Sequence, residues 1–408
     1  MTIIRPFRAL RPNPEVACKV ACVPYDVVND AEVYEYIREN PLSFLRITRP
    51  EAELSLEDRT RPELVFERAR QNLKEFIDKD FLFSEPEPSV YIYRLSSDTH
   101  HQTGVVACCS LDEYEKGMIR KHENTRPDKV EDRTGHLLTL RAQTGLILLT
   151  YRGTDRIKQL TDEATKQEPL YNFDGTDCVR QTVWRASATE DWIEAFSQVP
   201  SLYIADGHHR IESADLARKK LTKENSDRNG NSDHNFVMAG IFPAEDLRIL
   251  AYNRAVRDLG GLTAVEFLDR LRESFVVSDA EHKEPKTHGE ICMYLAGRWY
   301  RLFFNVQHLH EPDPIERLDV SILQDYILGP VLSIADPRTD DRIMFVGGGR
   351  GTSELEHLVD TGDAVAAFSL FPTSMDDLLT VSDANEIMPP KSTWFEPKLK
   401  DGLLVHQI

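Results

Sequence analysis

Five consecutive residues, Asp206-Gly207-His208-His209-Arg210, constrain this chain more than any other stretch. They follow the apolar run Leu202-Tyr203-Ile204-Ala205 and precede a segment, Ile211 to Leu221, patterned as a helix. A strand that turns through glycine into a helix leaves backbone N–H groups without helical partners, and the helix dipole adds partial positive charge there. Such a turn favours an anion. Two histidines and an arginine at the same place add side-chain donors suited to phosphate oxygens. The pentad therefore predicts a phosphate cradle on a strand-turn-helix unit. From these residues alone, a buried histidine cap with no ligand is the competing reading.

The chain has 408 residues, more than one ordinary core organises, so two or three lobes are expected. Its net charge is −19, and no long run of lysine or arginine offers the basic face that nucleic acid requires. No apolar run approaches the length of a membrane span, and Met1 to Leu10 lacks the apolar stretch of a signal peptide. Cys18, Cys22, Cys108, Cys109, Cys178 and Cys292 are irregularly spaced. Cys18 and Cys22 have no second pair to complete a zinc knuckle. Reduced, mostly packed thiols in a cytoplasmic protein are expected.

Helices are expected over Ala31–Glu39, capped by Asn29 or Asp30, and over Pro62–Asp80, where Val65, Ala69, Leu73, Phe76 and Ile77 form one stripe. Val90–Leu95 and Val105–Leu111 read as the strands of a hairpin. Further helices are expected at 128–142, 155–166, 190–197, 264–274 and 318–328, and strands at 146–150, 179–184, 236–242, 247–256, near Ile291, and at 300–304 and 343–346. The polar stretch 222–234 reads as an exposed loop. Gly347 to Gly351 lacks the Gly-Lys-Ser/Thr of a phosphate-binding P-loop and reads as a flexible hairpin or lid. Hairpins mixed with helices favour an α+β (mixed α/β) fold over a regular doubly wound sheet. Three segments are expected: 1–85 as an N-terminal α/β segment, 86–260 as a catalytic core, and 261–408 as a C-terminal α/β lobe whose loop 389–398 reaches the active site.

Four further stretches carry chemistry. Lys121-His122-Glu123-Asn124-Thr125 places a carboxylate between a lysine and a histidine, with Lys129, Asp132 and Arg133 following. Nearby charge and burial set the proton affinity of such a glutamate, which suits a general base. Lys391-Ser392-Thr393-Trp394 follows the stiff pair Pro389-Pro390, so one loop presents an ammonium and two hydroxyls to phosphate oxygens. In Pro24-Tyr25-Asp26-Val27 and Ser43 to Glu51, Asp26 suits an ammonium group, and Arg46 or Arg49 a carboxylate. Local salt bridges, a capped loop and simple packing of Trp394 and Phe395 are the plain alternatives for these four.

Taken in order, these blocks resemble a large bacterial and archaeal family classed as domain of unknown function 1015, with a ParB/sulfiredoxin-like core. The likeness extends over nearly the whole chain. Three blocks, His122-Glu123, Asp206 to Arg210 and Pro390-Lys391-Ser392-Thr393, also resemble motifs of kinases that phosphorylate free L-serine. The resemblance implies a ParB/sulfiredoxin-like core with added N- and C-terminal α/β elements. It implies O-phosphoserine as product, with pyrophosphate as the first-choice donor and ADP as the second. That product would feed cysteine or serine metabolism. A sulfiredoxin needs a cysteine where His208 stands, and a ParB protein adds a helix-turn-helix not visible here. One position departs from the expected pattern: Ala251-Tyr252-Asn253-Arg254 stands where Pro-x-His-Arg is expected.

On this reading Glu123 is the base, with Asp206 and His209 also catalytic. Gly207, His208, Arg210, Lys391, Ser392, Thr393, Lys121 and Arg133 contact phosphates, and His122, Thr125, Asp26, Arg46 and Arg49 contact the acceptor. Asp206 is the expected protein ligand of Mg²⁺. The expected partners are L-serine with pyrophosphate or ADP, and neither nucleic acid nor membrane. The alternative is a ParB-like nucleotide-binding switch without catalysis.

Overall fold

Apolar runs and caps legible in the sequence become the frame of the computed structural model, which describes residues 2–187, 189–225, 230–305 and 313–408. The chain divides into two units. The first comprises Met1–Arg120, Thr125–Leu247 and Pro397–Ile408, and the second Lys121–Asn124 with Arg248–Glu396. The fold is mixed α/β, as expected.

In the first unit, helix α1 (Asp30–Glu39) starts at a capping box: the Asn29 side chain accepts from the Glu32 N–H at 3.0 Å, and Glu32 accepts from the Asn29 N–H at 2.8 Å. Helix α2 (Pro62–Asp78) begins with proline, whose missing N–H costs nothing at that position, and buries Ala69, Leu73 and Phe76 from its apolar stripe. Strands β1 (Val90–Ser96) and β2 (His101–Ser110) form the expected antiparallel hairpin, with Tyr91 opposite Val106 and Ser96 opposite His101. Next come α3 (Pro127–Leu140), β3 (Ile147–Tyr151), α4 (Asp155–Ala164), β4 (Arg180–Ala186), α5 (Thr189–Ser197), β5 (Leu202–Asp206), α6 (His208–Asn225) and β6 (Phe236–Pro243).

These strands join one mixed sheet in the order Ile119–Arg120, β5, β3, β6, β2, β1, β4, Tyr171–Asp174, and Ile4–Arg5 pairs β2 from the side. β3 and β6 run parallel at its centre, whereas β5 is antiparallel to β3. One face of the sheet, including Ile92, Val105, Ile147, Ile204 and Ile241, packs with Ile157 and Leu160 of α4, Trp192 and Phe196 of α5, and Ile211 and Ala214 of α6. Each Ile, Val, Leu or Phe among them contributes about 1.5–3 kcal/mol on burial. Cys108 and Cys109 are both buried, and all six cysteines are free. A smaller sheet, Leu82–Ser84, Ala9–Pro12, Val405–Gln407 and Ala142–Gln143, ties the chain's two ends together.

The second unit is built on an antiparallel sheet. Its elements are β7 (Tyr252–Val256), α7 (Ala264–Leu271), β8 (Glu290–Leu295), β9 (Arg298–Phe303), β10 (Ile343–Gly347), α8 (Gly351–Asp360), β11 (Ala366–Leu370) and α9 (Met375–Asp383). The strand order is Val276–Asp279, β9, β8, β11, β7, β10.

Four expectations change. The stretch 247–256 is two strands, Ile249–Leu250 and β7, because the first pairs with Trp394–Phe395 and the second with β10 and β11. The helix expected over 318–328 is α-helical over Asp319–Leu323 and continues as a wider π turn, Gln324–Leu328. The glycine run is no lid: it leads through one tight turn into α8, which is held down because Leu355 and Leu358 bury against Ala255, Val346 and Ala367. Finally, α6 extends to Asn225, past the expected loop start at 222, while 226–229 of that loop lie outside the described residues.

Candidate functional site

The pentad folds as its sequence implies. β5 ends at Asp206, α6 starts at His208, and Gly207 between them has φ +97°. That backbone disfavours any L side chain. The Arg210 and Ile211 N–H groups close the first helical turn on the Gly207 carbonyl at 2.9 and 3.1 Å. Asp206 Oδ1 accepts from the Gly207 N–H and Oδ2 from Lys398 Nζ, both at 2.8 Å. His209 Nε2 accepts from the Arg126 N–H at 3.1 Å, which requires that nitrogen to be unprotonated. His208 is buried.

Arg210 is half-buried and makes the most hydrogen bonds described for this turn. Its guanidinium donates to both carboxylate oxygens of Asp401, at 2.9 and 3.3 Å, and to the Leu146 carbonyl at 3.1 Å. Burial works against this cation, but Asp401, Asp26 and Tyr25 outweigh it and hold its pKa well above the ordinary value. Gly145 makes room for the pair, since a Cβ there would lie 1.8 Å from Arg210 Nη1 and 2.3 Å from Asp401. The Tyr25 ring carries two guanidinium groups, Arg133 at 4.5 Å and Arg210 at 5.2 Å from its centroid. Burial, then Asp26, pushes the Tyr25 hydroxyl up to about 12 against the pull of both arginines. Tyr25, Arg133, His136, Thr144, Gly145, Arg210 and Ser213 line a small cleft of about 50 Å³ within this unit. Of the expected site residues, Arg133, Arg210 and Asp26 therefore gather at Tyr25.

Arg46 and Arg49 are committed elsewhere. Arg46 pairs with Glu53 and Glu75, and Arg49 with Asp30 and Glu51. Arg49 also donates to the Tyr25 and Val28 carbonyls at 2.9 and 3.0 Å, and so fixes the turn that carries Tyr25 and the exposed Asp26. Arg133 also donates to Asp132. Thr125 is partly buried at the start of its segment.

In the second unit, two distant blocks meet. The His122 carbonyl accepts from the Met388 N–H at 2.9 Å, and His122 Nε2 lies 3.3 Å from Thr393 Oγ1. Lys121 is exposed and Glu123 partly buried. The 389–393 turn is braced from within, because Ser392 Oγ donates to the Pro389 carbonyl at 2.6 Å and Thr373 Oγ1 donates to the Ser392 carbonyl at 2.9 Å. Ser392 is buried and its hydroxyl serves the turn. Lys391 sits in the left-handed region (φ 58°), with Nζ 5.9 Å from the Tyr252 ring centroid.

Three residues of these sites received no role from sequence. Asp401 and Lys398 stand 191 and 192 residues from the groups they pair with; no local pattern marks Asp401, and Lys398 ends the 389–398 loop without a role of its own. Arg254 donates to the Pro390 and Lys391 carbonyls at 3.0 and 2.8 Å. A charged residue beside Ala255-Val256 in a strand was its available signal. Where a histidine was expected, Asn253 accepts from the Leu370 N–H at 3.0 Å and pins β7 to β11.

The chain belongs to the family described as protein of unknown function (DUF1015), whose model matches residues 4–321. No curated protein matches it. Similar solved structures include a conserved hypothetical protein from Pyrococcus furiosus (14% identity, 74% of this chain and 95% of that one, TM-score 0.37). SbnI with a C-terminal truncation, from Staphylococcus aureus, is similar at 12% identity over 74% of this chain and 87% of its own, with TM-score 0.41. A free serine kinase in complex with AMP is similar at 12% identity over 73% and 91%, with TM-score 0.37. Likenesses of this depth do not bear on activity. No helix among the described residues is long and apolar enough to cross a membrane.

Proposed function

We propose that the chain is a phosphotransferase that moves a phosphoryl group from pyrophosphate to the hydroxyl of free L-serine, with ADP as the second-choice donor. The observation that carries this reading lies in the second unit: His122 and Thr393, from two motif blocks 271 residues apart, are within hydrogen-bonding distance. A chain that only bound a nucleotide would have no need to hold a carboxylate-bearing segment against a lysine-bearing turn.

The serine hydroxyl oxygen forms the new P–O bond, the bond from phosphorus to the leaving phosphate breaks, and the proton passes to Glu123. The products are O-phosphoserine and inorganic phosphate, or AMP when ADP is the donor. Such a transfer asks mainly for alignment and charge neutralisation. The backbone at 206–210, with His208, His209 and Arg210, takes the donor phosphates. Lys391 and Thr393 face the transferred group, and Ser392 shapes their turn. Lys121 and Arg133 add positive charge. His122 and Thr125 adjoin the acceptor, Asp26 takes its ammonium, and Arg46 and Arg49 hold the segment beside it.

Mg²⁺ is the implied cofactor, and Asp206 the residue that would hold it. The Asp206 side chain is 45% exposed and its oxygens have further lone pairs, but Lys398 already neutralises it. One carboxylate fits a cation that arrives with the donor's phosphates and keeps most of its water. Such an ion supplies charge neutralisation on the phosphates.

The test incubates the protein with L-serine, Mg²⁺ and pyrophosphate, ADP or ATP, and measures phosphoserine by mass spectrometry. Removing the base by Glu123→Gln lowers turnover by about 10²–10⁴-fold with a smaller change in donor affinity. Absence of phosphoserine with every donor overturns the reading, and a fully active Glu123→Gln overturns the assignment of the base.

A further inference from the structure

Arg254 is a charge that the proposed reaction leaves without a role. It lies within β7 and is 4% exposed. Its guanidinium stacks 4.6 Å from the Phe345 ring centroid and 5.6 Å from that of Tyr252. The hydrogen bonds it donates go to carbonyl oxygens: Nη1 to Tyr252, and Nη2 to Pro390 and Lys391 at 3.0 and 2.8 Å. Taking a guanidinium out of water is costly, and carbonyls recover less of that cost than a carboxylate does. Burial lowers its pKa to about 10, against the opposing fields of Tyr252 and Glu123.

Two geometric facts give the charge a use. One nitrogen binds two successive carbonyls, which orients the peptide that enters and the peptide that leaves Lys391. Lys391 itself is in the left-handed region (φ 58°), which a residue with a Cβ keeps only when its surroundings impose it. We infer that Arg254 is a positioning residue: it clamps the turn that presents Lys391. The inference rests on the proposed reaction for its consequence, but not for its geometry. Arginine suits the task because its planar fork reaches several oxygens at once, as a lysine ammonium on the same strand would not.

Two variants of the full chain test the clamp. Arg254→Lys keeps a cation and loses the fork, whereas Arg254→Met loses both at similar length. Hydrogen exchange of the 391–394 amides is expected to rise about tenfold or more in both variants, with β8 unchanged, because opening of this turn becomes easier. Under the serine and pyrophosphate assay, kcat is expected to fall about tenfold in Arg254→Lys and about a hundredfold in Arg254→Met, with the KM for serine changed less than about threefold. Unchanged exchange in both variants overturns the clamp. Unchanged kcat in both variants overturns the consequence of the clamp for the reaction. If wild-type protein makes no phosphoserine with any donor, the reaction is wrong, and the exchange measurement still decides the clamp. If Arg254→Met does not fold, Arg254→Lys carries the exchange test alone.

Discussion

Acidification should weaken the first unit through one histidine. His136 on α3 is 3% exposed and lines the cleft beside Arg133 and Arg210. Its Nε2–H donates to the Ile47 carbonyl at 2.9 Å, and the Phe66 ring meets its edge at 6.3 Å. Burial, and secondarily the charge of Arg133, lowers its pKa from 6.5 to about 3. The folded chain therefore takes up this proton less readily than the unfolded chain. The stability involved is fully present above the unfolded value and is lost as pH falls toward the folded one. One proton is worth about 1.4 kcal/mol per pH unit, so between roughly pH 6.5 and pH 4 the loss approaches about 3 kcal/mol. Urea unfolding at several pH values, on wild type and His136→Gln, isolates this loss, because the acidic residues common to both proteins cancel in the difference. Glutamine keeps a donor for Ile47 and cannot titrate. The wild-type stability should fall more steeply than the variant's over this range. Parallel curves would show that the imidazole is not held neutral by burial, and the reasoning would fail.

Two further outcomes follow from the phosphate-binding turn and its support. Asp401→Ala strands the Arg210 guanidinium, whose side chain is 17% exposed, and should cost about 3–5 kcal/mol in chemical unfolding; the double variant with Arg210→Met should recover much of it. A double variant as unstable as the sum of the two singles would show the pair to be uncoupled. Gly207→Ala forces a Cβ onto φ +97° and toward the Ile147 backbone at 3.4 Å, a strain of about 1–3 kcal/mol, so melting temperature and pyrophosphate affinity by calorimetry should both drop. Unchanged affinity in a folded variant would remove this turn from the donor site.

Much of the local structure was legible because it depends on short spacings. Two strand-like runs flanking a polar turn in 90–110 specified a hairpin, the stripe in 62–80 specified a helix, and glycine at 207 with an apolar run before it specified the strand-turn-helix. Errors arose where a neighbour decided the outcome. The glycines at 347–351 looked mobile, yet α8 follows them directly because its apolar side finds Ala255 and Val346. The single strand expected over 247–256 is split because two different partners claim its halves.

The candidate site divides the same way. Residue types and their order were enough to single out Glu123, the pentad and Lys391, since each chemistry calls for particular groups close together in sequence. Sequence could not say which of those groups would already be occupied. Arg210 is bound by Asp401, Asp206 by Lys398, and the Lys391 turn by Arg254, through contacts that span more than a hundred residues. Such pairings carry no periodic signature, because they form when separate elements bury charges together and each charge must find a counter-group. Sequence by itself determined the chemical groups this protein can offer, and the tertiary structure alone decided which of them are paired.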